Sequence, residues 1–210
     1  MGASRQKLKD LINSAMPERY LVTRSNKKNC GVIFTFDDGP HPEFTPAALD
    51  VLEGLGIRAT FFLVGREAQR HAAIVKDIVA RGHTVGGHTH SHRAVAGLRA
   101  AELKAEVLDD RKRLSDLSGQ DVRQFRPPWG KLDLTSAIYL VAKGLQIVMW
   151  SIDSTDYEKS GASDILARVE RAGMRSGDIL LLHDDNEYTI EALPGLADSV
   201  RRRSLGFSNL

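Results

Sequence analysis

Strand-like and helical stretches alternate along this chain without a linker or a break in composition, a rhythm that predicts an α/β fold of parallel strands joined by crossover helices. Two further observations favour a closed barrel over an open sheet. The first strand ends in Asp37-Asp38, whereas a nucleotide-binding sheet would carry a glycine-rich phosphate loop there. Chemically active side chains also follow at least five different strand ends, which suits a ring better than a single crevice. One domain of seven or eight parallel strands, the last of them ragged, is therefore expected in the 210 residues.

Taken in order, residues 1–29 read as a lead-in segment and 30–210 as the domain proper. Leu8, Leu11, Ile12 and Ala15 share one helical face, which predicts a docking helix. Strands are expected at 31–36, 59–64, 83–87, 124–126, 146–152, 178–183 and 206–210. Helices are expected at 45–55, 69–81, 100–118, 133–143, 163–174 and 190–203. Thr45-Pro46 is a helix start, a hydroxyl N-cap followed by proline at the first helical position. Gly56, Gly82, Gly119 and Gly144 stand where helices should stop and turn toward the next strand.

Composition narrows the partners. A net charge of +2 offers no global basic field, so nucleic acid is not expected as principal partner. Arg201-Arg202-Arg203 reads as a solvated helix end. The single cysteine, Cys30, excludes an internal disulfide and a cysteine-rich zinc module. No apolar run reaches the eighteen or so residues of a membrane span. The first residues lack the uninterrupted apolar region of a secretory signal, which predicts a cytoplasmic protein, or a secreted one if a leader has been removed. Nothing in the pattern speaks for a particular oligomeric state.

Asp37 and Asp38 end the apolar run 32–36, where two adjacent carboxylates are costly unless a positive group compensates them. Read alone, Asp-Asp-Gly is a cap residue beside a solvated turn. About fifty residues on comes His88-Thr89-His90-Ser91-His92. One carboxylate with two imidazoles makes a three-ligand metal site with room for water, and the other carboxylate is free to act as a base. Later strand ends carry Arg126-Pro127-Pro128-Trp129-Gly130, then Trp150 through Asp153-Ser154-Thr155-Asp156-Tyr157, and finally Leu180-Leu181-Leu182-His183-Asp184. Each has a plain alternative: a surface arginine, a core tryptophan, a capping histidine. Five together are hard to obtain by chance.

With these motifs, in this order from about residue 30 to the C-terminus, the chain resembles the polysaccharide deacetylases of carbohydrate esterase family 4, typified by nodulation chitooligosaccharide deacetylases. The resemblance implies a deformed (β/α) barrel, one divalent metal ion and removal of acetyl groups from N-acetylated sugars, less often O-acetylated ones. By the same resemblance Asp38, His88 and His92 would be the metal ligands, Asp37 the general base and Arg126 the arginine that holds it. Trp129 would offer its backbone N–H to the oxyanion, and His183 would be the general acid, oriented by Asp153. Trp150 and Leu181 would line the acetyl-methyl pocket. Zinc suits mixed nitrogen and oxygen ligands with an open position, with cobalt or nickel as alternatives. Two positions depart from the family: Tyr157 replaces a tryptophan of the groove wall, and Gly87 stands where an asparagine could hydrogen-bond behind His88. His90 is not expected to bind metal, and His41, His71 and His83 read as surface or packing residues. The substrate is expected to be an acetylated carbohydrate, chitooligosaccharide or peptidoglycan among the candidates. An acetylxylan-type esterase and a catalytically silent carbohydrate-binding relative are the alternatives.

Overall fold

The computed structural model describes residues 17–28 and 30–210; the docking helix expected around Leu8–Ala15 lies outside them. Among the described residues, nine strands join in one sheet. They are β1 (Leu21–Val22), β2 (Val32–Asp37), β3 (Thr60–Leu63), β4 (Thr84–Gly87), β5 (Gln124–Phe125), β6 (Gln146–Val148), β7 (Ile152–Asp153), β8 (Ile179–His183) and β9 (Phe207–Ser208). The order is β1-β6-β5-β4-β3-β2-β8-β7, with β9 added beside β2, and every pair is parallel. Helices α1 (Phe44–Leu55), α2 (Gly65–Arg70), α3 (Ala72–Ala80), α4 (Ala100–Leu103), α5 (Asp109–Ser118), α6 (Leu134–Ala142), α7 (Ala162–Ala172) and α8 (Glu187–Arg202) lie between the strands in sequence. The sheet curls into the deformed barrel that the sequence leads one to expect.

Strand β2 shows how the period of two builds both layers. Val32, Phe34 and Phe36 face outward and join Leu49 and Leu52 of α1 and Leu193, Leu196 and Val200 of α8 in the main core. Ile33 faces inward, with Val22, Phe62, Val148 and Ile179 closing the floor of the barrel. Thr35 and Asp37 follow on that inner face, so the strand is apolar at the bottom and polar at the top. Strand β8 repeats the scheme, with Leu180 and Leu182 in the outer core and Ile179 in the floor.

The run 146–152, expected as one strand, is two. β6 pairs with β1 and β5, β7 pairs with β8, and residues 149–151 cross the opening between the sheet's ends. A single straight strand cannot pair with β5 and β8 at once, because they stand on opposite sides of that opening. The missed strand β1 is too short to show a period. Asp178 closes the seam. It accepts Arg24 Nε at 2.6 Å, the Ser151 hydroxyl at 2.7 Å and the Arg175 N–H at 2.7 Å. Asp178→Ala strands these donors and is expected to cost roughly 2–4 kcal/mol, measured by urea unfolding; a loss under about 0.5 kcal/mol, the size of an ordinary surface change, would show that the seam does not depend on it.

Candidate active site

The inward ends of the strands open into one cleft of about 400 Å³ lined by Asp37, Asp38, His88, His92, Trp129, Trp150, Asp153, Tyr157, Leu181 and His183. Every residue nominated from the sequence lines it except Arg126, which lies beneath, fully buried.

The base of the site is an arginine sunk in the barrel. Arg126 Nη1 donates to Asp37 Oδ1 at 2.6 Å and to Thr35 Oγ1 at 2.8 Å. Its other nitrogens reach the carbonyls of Val148 and Met149 at 3.3 and 3.0 Å, and its guanidinium lies 4.2 Å over the Phe62 ring. Phe62 can cross beneath it because residue 86 is glycine; a Cβ there would come within 2.6 Å of the ring. Burial pushes the Arg126 pKa down, and the Asp37 carboxylate opposes that shift.

Register places the remaining groups. Asp37 is the Cα partner of His183 across β2 and β8, so the proposed base and acid stand on neighbouring strand ends. Asp38 then leaves the strand with φ 74°, swinging its carboxylate across the mouth. Asp38 Oδ1 lies 3.3 Å from His88 Nε2 and 3.0 Å from His92 Nε2. Burial disfavours the charge on Asp38, and only positive charge at His88 and His92, with His183 farther off, would hold the carboxyl below the usual range. His88 Nδ1 sits 2.8 Å from the Arg126 carbonyl. A carbonyl only accepts, so Nδ1 carries the hydrogen and Nε2 presents its lone pair. That carbonyl also supplies the hydrogen bond that Gly87 had put in doubt. The ring of His92 is stacked edge-on by Trp129 at 4.6 Å, whose own φ of 56° turns its segment into the cleft.

These three residues fit a cation. Their ligand atoms lie within 4.8 Å of one another, and Asp38 Oδ1 is buried with no hydrogen-bond donor among the described residues. The His88 lone pair facing a carboxylate is unfavourable unless a positive centre sits between them. The Asp, His, His donor set is that of zinc or a neighbouring divalent ion. His90 points elsewhere, its Nδ1 3.0 Å from Asp110. Of the other histidines, His41 accepts the N–H groups of Glu43 and Phe44 on its Nδ1. His83 accepts that of Ala59, and burial first, then Arg58 and Arg81, lowers its pKa to about 4.

One expectation is corrected. The carboxylate that orients His183 is Asp156, not Asp153. Asp156 Oδ1 lies 2.7 Å from His183 Nδ1, and its Oδ2 accepts the His183 backbone N–H at 2.6 Å and the Thr189 hydroxyl at 2.8 Å. Burial works against the His183 cation, but Asp156, then Asp37 and Asp38, raise its pKa to about 9. Asp153 instead accepts the N–H of Thr155 at 2.9 Å and interacts with the Tyr157 hydroxyl, whose pKa is raised by burial, then by the charges of Asp153 and Glu158. This aspartate turn, with Thr155 at φ 53°, reverses the chain and delivers Asp156 beneath His183. The Asp-x-Thr signal was present in the sequence; which of two nearby carboxylates it delivered was not.

Sequence reasoning also passed over Asp184 and Thr189. Asp184 is fully buried, takes the Thr45 hydroxyl, and is pushed by burial up to about 7 despite that bond. Its carboxylate occupies the space where a Cβ on Gly39 would stand, 2.5 Å away, which explains the glycine after the aspartate pair.

The polysaccharide deacetylase family model matches residues 24–149. A peptidoglycan-N-acetylglucosamine deacetylase of Bacillus cereus is 34% identical over 198 residues, 91% of each chain. A chitooligosaccharide deacetylase of Sinorhizobium fredii is 35% identical over 164 residues, covering 78% of this chain and 76% of that one. Among solved structures, a peptidoglycan N-acetylglucosamine deacetylase bound to a naphthyl N-hydroxybenzamide superposes with a TM-score of 0.86 at 29% identity, over 92% of this chain and 91% of the other. The chain therefore belongs to the polysaccharide deacetylase family.

Proposed function

We propose that this protein is a metal-dependent hydrolase that removes acetyl groups from N-acetylated amino sugars of a glycan. The observation that carries the reading is the convergence, in one cleft, of a buried Asp37–Arg126 pair, the Asp38/His88/His92 cluster and a His183–Asp156 pair. A binding module has no need of an ionised base and a protonated acid on adjoining strand ends.

Asp38, His88 and His92 would hold the ion, zinc by preference. When bound it supplies a Lewis acid for the acetyl carbonyl and lowers the pKa of water in the cleft. Asp37, fixed by its bond from Arg126, accepts the proton of the attacking water. The Trp129 backbone N–H would be offered to the oxyanion. His183, charged through Asp156, gives its proton to the departing sugar nitrogen. Trp150 and Leu181 form the apolar wall for the acetyl methyl, and Tyr157, 5.7 Å edge-on to His183, forms the outer wall toward the sugar.

The test is acetate release, with metal content, from peptidoglycan fragments, chitooligosaccharides and acetylxylan. We expect release from the first two, its loss on chelation and its return on adding zinc. Release from acetylxylan alone would replace the amide reading with an esterase, and no release by the metal-loaded protein from any of the three would leave a silent carbohydrate-binding relative. Full metal content and full activity in His88→Ala would show the cation site to be elsewhere.

A further inference from the structure

The loop 88–92 carries two of the three proposed ligands in a backbone shape that side-chain-bearing residues seldom adopt unaided: Thr89 has φ 63° and His92 φ 60°. Packed against this loop is an irregular helical turn. Between α4 and α5, residues Lys104–Leu108 are wound as a π-helix, a rare form found mostly beside functional sites. From that turn the Glu106 carbonyl accepts the His90 N–H at 2.8 Å. The Glu106 carboxylate accepts both the Ser91 N–H at 3.0 Å and the Ser91 hydroxyl at 2.8 Å. Four residues on, Asp110 Oδ1 lies 3.0 Å from His90 Nδ1. Asp110 is itself buried and packs so closely on Gly65 that a Cβ there would overlap its carboxylate. From the other side the N–H groups of Gly65 and Arg66 donate to the carbonyls of Thr89 and His90 at 3.0 and 2.9 Å. All three residues between the two imidazoles are thus held, and none of these bonds uses a ligand atom.

We infer that Glu106 and Asp110 are positioning residues that keep the 88–92 loop in its ligand-presenting shape before a cation arrives, and so set the affinity of the site. This rests on the ligand assignment proposed above. A loop free to relax must be ordered at the moment of binding, and that entropy is subtracted from the affinity. Groups standing behind metal ligands typically contribute about 10- to 100-fold in affinity.

The experiment is a zinc titration of the metal-stripped full chain against a chromogenic chelator, with thermal unfolding of the same samples. Glu106→Ala and Asp110→Ala are each expected to bind zinc roughly 10- to 100-fold more weakly, and acetate release at limiting zinc should recover when zinc is raised. Glu106→Gln, whose amide oxygen can still accept one Ser91 bond, should lose less than Glu106→Ala. Affinity within about twofold of wild type in both alanine variants, well short of that range, overturns the inference. So does activity that excess zinc fails to restore. If an alanine variant does not fold, Glu106→Gln and Asp110→Asn carry the same comparison with the same criteria. His88→Ala separates the two readings: if it binds zinc like wild type, the ligand assignment is wrong, whereas zinc loss there beside wild-type affinity in the Glu106 and Asp110 variants sinks the positioning role alone.

Discussion

Asp37→Asn is expected to leave zinc bound and to lower acetate release by about 10²- to 10⁴-fold, the range of a general base. The reasoning starts from burial. Asp37 is only 3% exposed, and Arg126 Nη1 faces it as a counter-charge 2.6 Å from Oδ1. That contact occupies one oxygen and leaves Oδ2 facing the cleft, 3.9 Å from His88 Nε2. An amide keeps the shape and the hydrogen bond from Arg126 but cannot accept a proton. It also leaves a buried guanidinium without its counter-charge, so a stability loss of up to roughly 3–5 kcal/mol should accompany the change. Turnover must therefore be compared on protein shown to be folded. Asp38→Asn should instead weaken zinc binding, since Oδ1 of that residue is what both imidazoles approach. Equal zinc loss in the two variants would mean that the neighbours do not divide base and ligand between them.

Removing the carboxylate behind the acid should move the alkaline limb of the pH profile. His183 must be protonated to donate, so activity falls as pH rises through its folded pKa, which the structure raises from 6.5 to about 9. Burial alone would lower it; the Asp156 carboxylate reverses the sign, with smaller help from Asp37 and Asp38. A cation in the cleft offsets the latter two and leaves Asp156 as the main support. In Asp156→Asn burial then prevails, and the alkaline limb should shift acidward. His183→Ala should remove the limb with most of the rate, about 10²-fold or more. Asp153→Asn should leave the limb where it was, because that carboxylate is committed to Thr155 and Tyr157. A limb that moves with Asp153 and not with Asp156 would refute the pairing seen here. Stability carries the same sign: the raised pKa favours the folded state fully below 6.5, and the benefit is lost as pH rises through about 9.

The candidate site residues were legible in the sequence because most of them end a strand or follow one closely, and a period of two with apolar filling marks strand ends well. Asp37-Asp38 after 32–36 and His183 after 179–182 both follow from that, as does the parallel α/β class from the alternation of elements. The histidine cluster 88–92 was likewise visible without reference to the fold, but which two of its imidazoles approach Asp38 was not.

What the sequence determined by itself was thus the inventory and the layer. The tertiary structure alone decided which groups meet. Nothing local says that β6 and β7 must separate, since the need arises from β5 and β8 standing on opposite sides of the opening. Nothing local chooses Asp156 over Asp153 either, three residues apart; the choice is made by a left-handed Thr155 that turns the chain under β8. Glu106 and Asp110 look like an ordinary acidic helix face until the π turn brings them against the ligand loop. A strand end is a property of a few consecutive residues, whereas each of these contacts joins segments distant in sequence or turned back on themselves, and only the curled sheet supplies their distances.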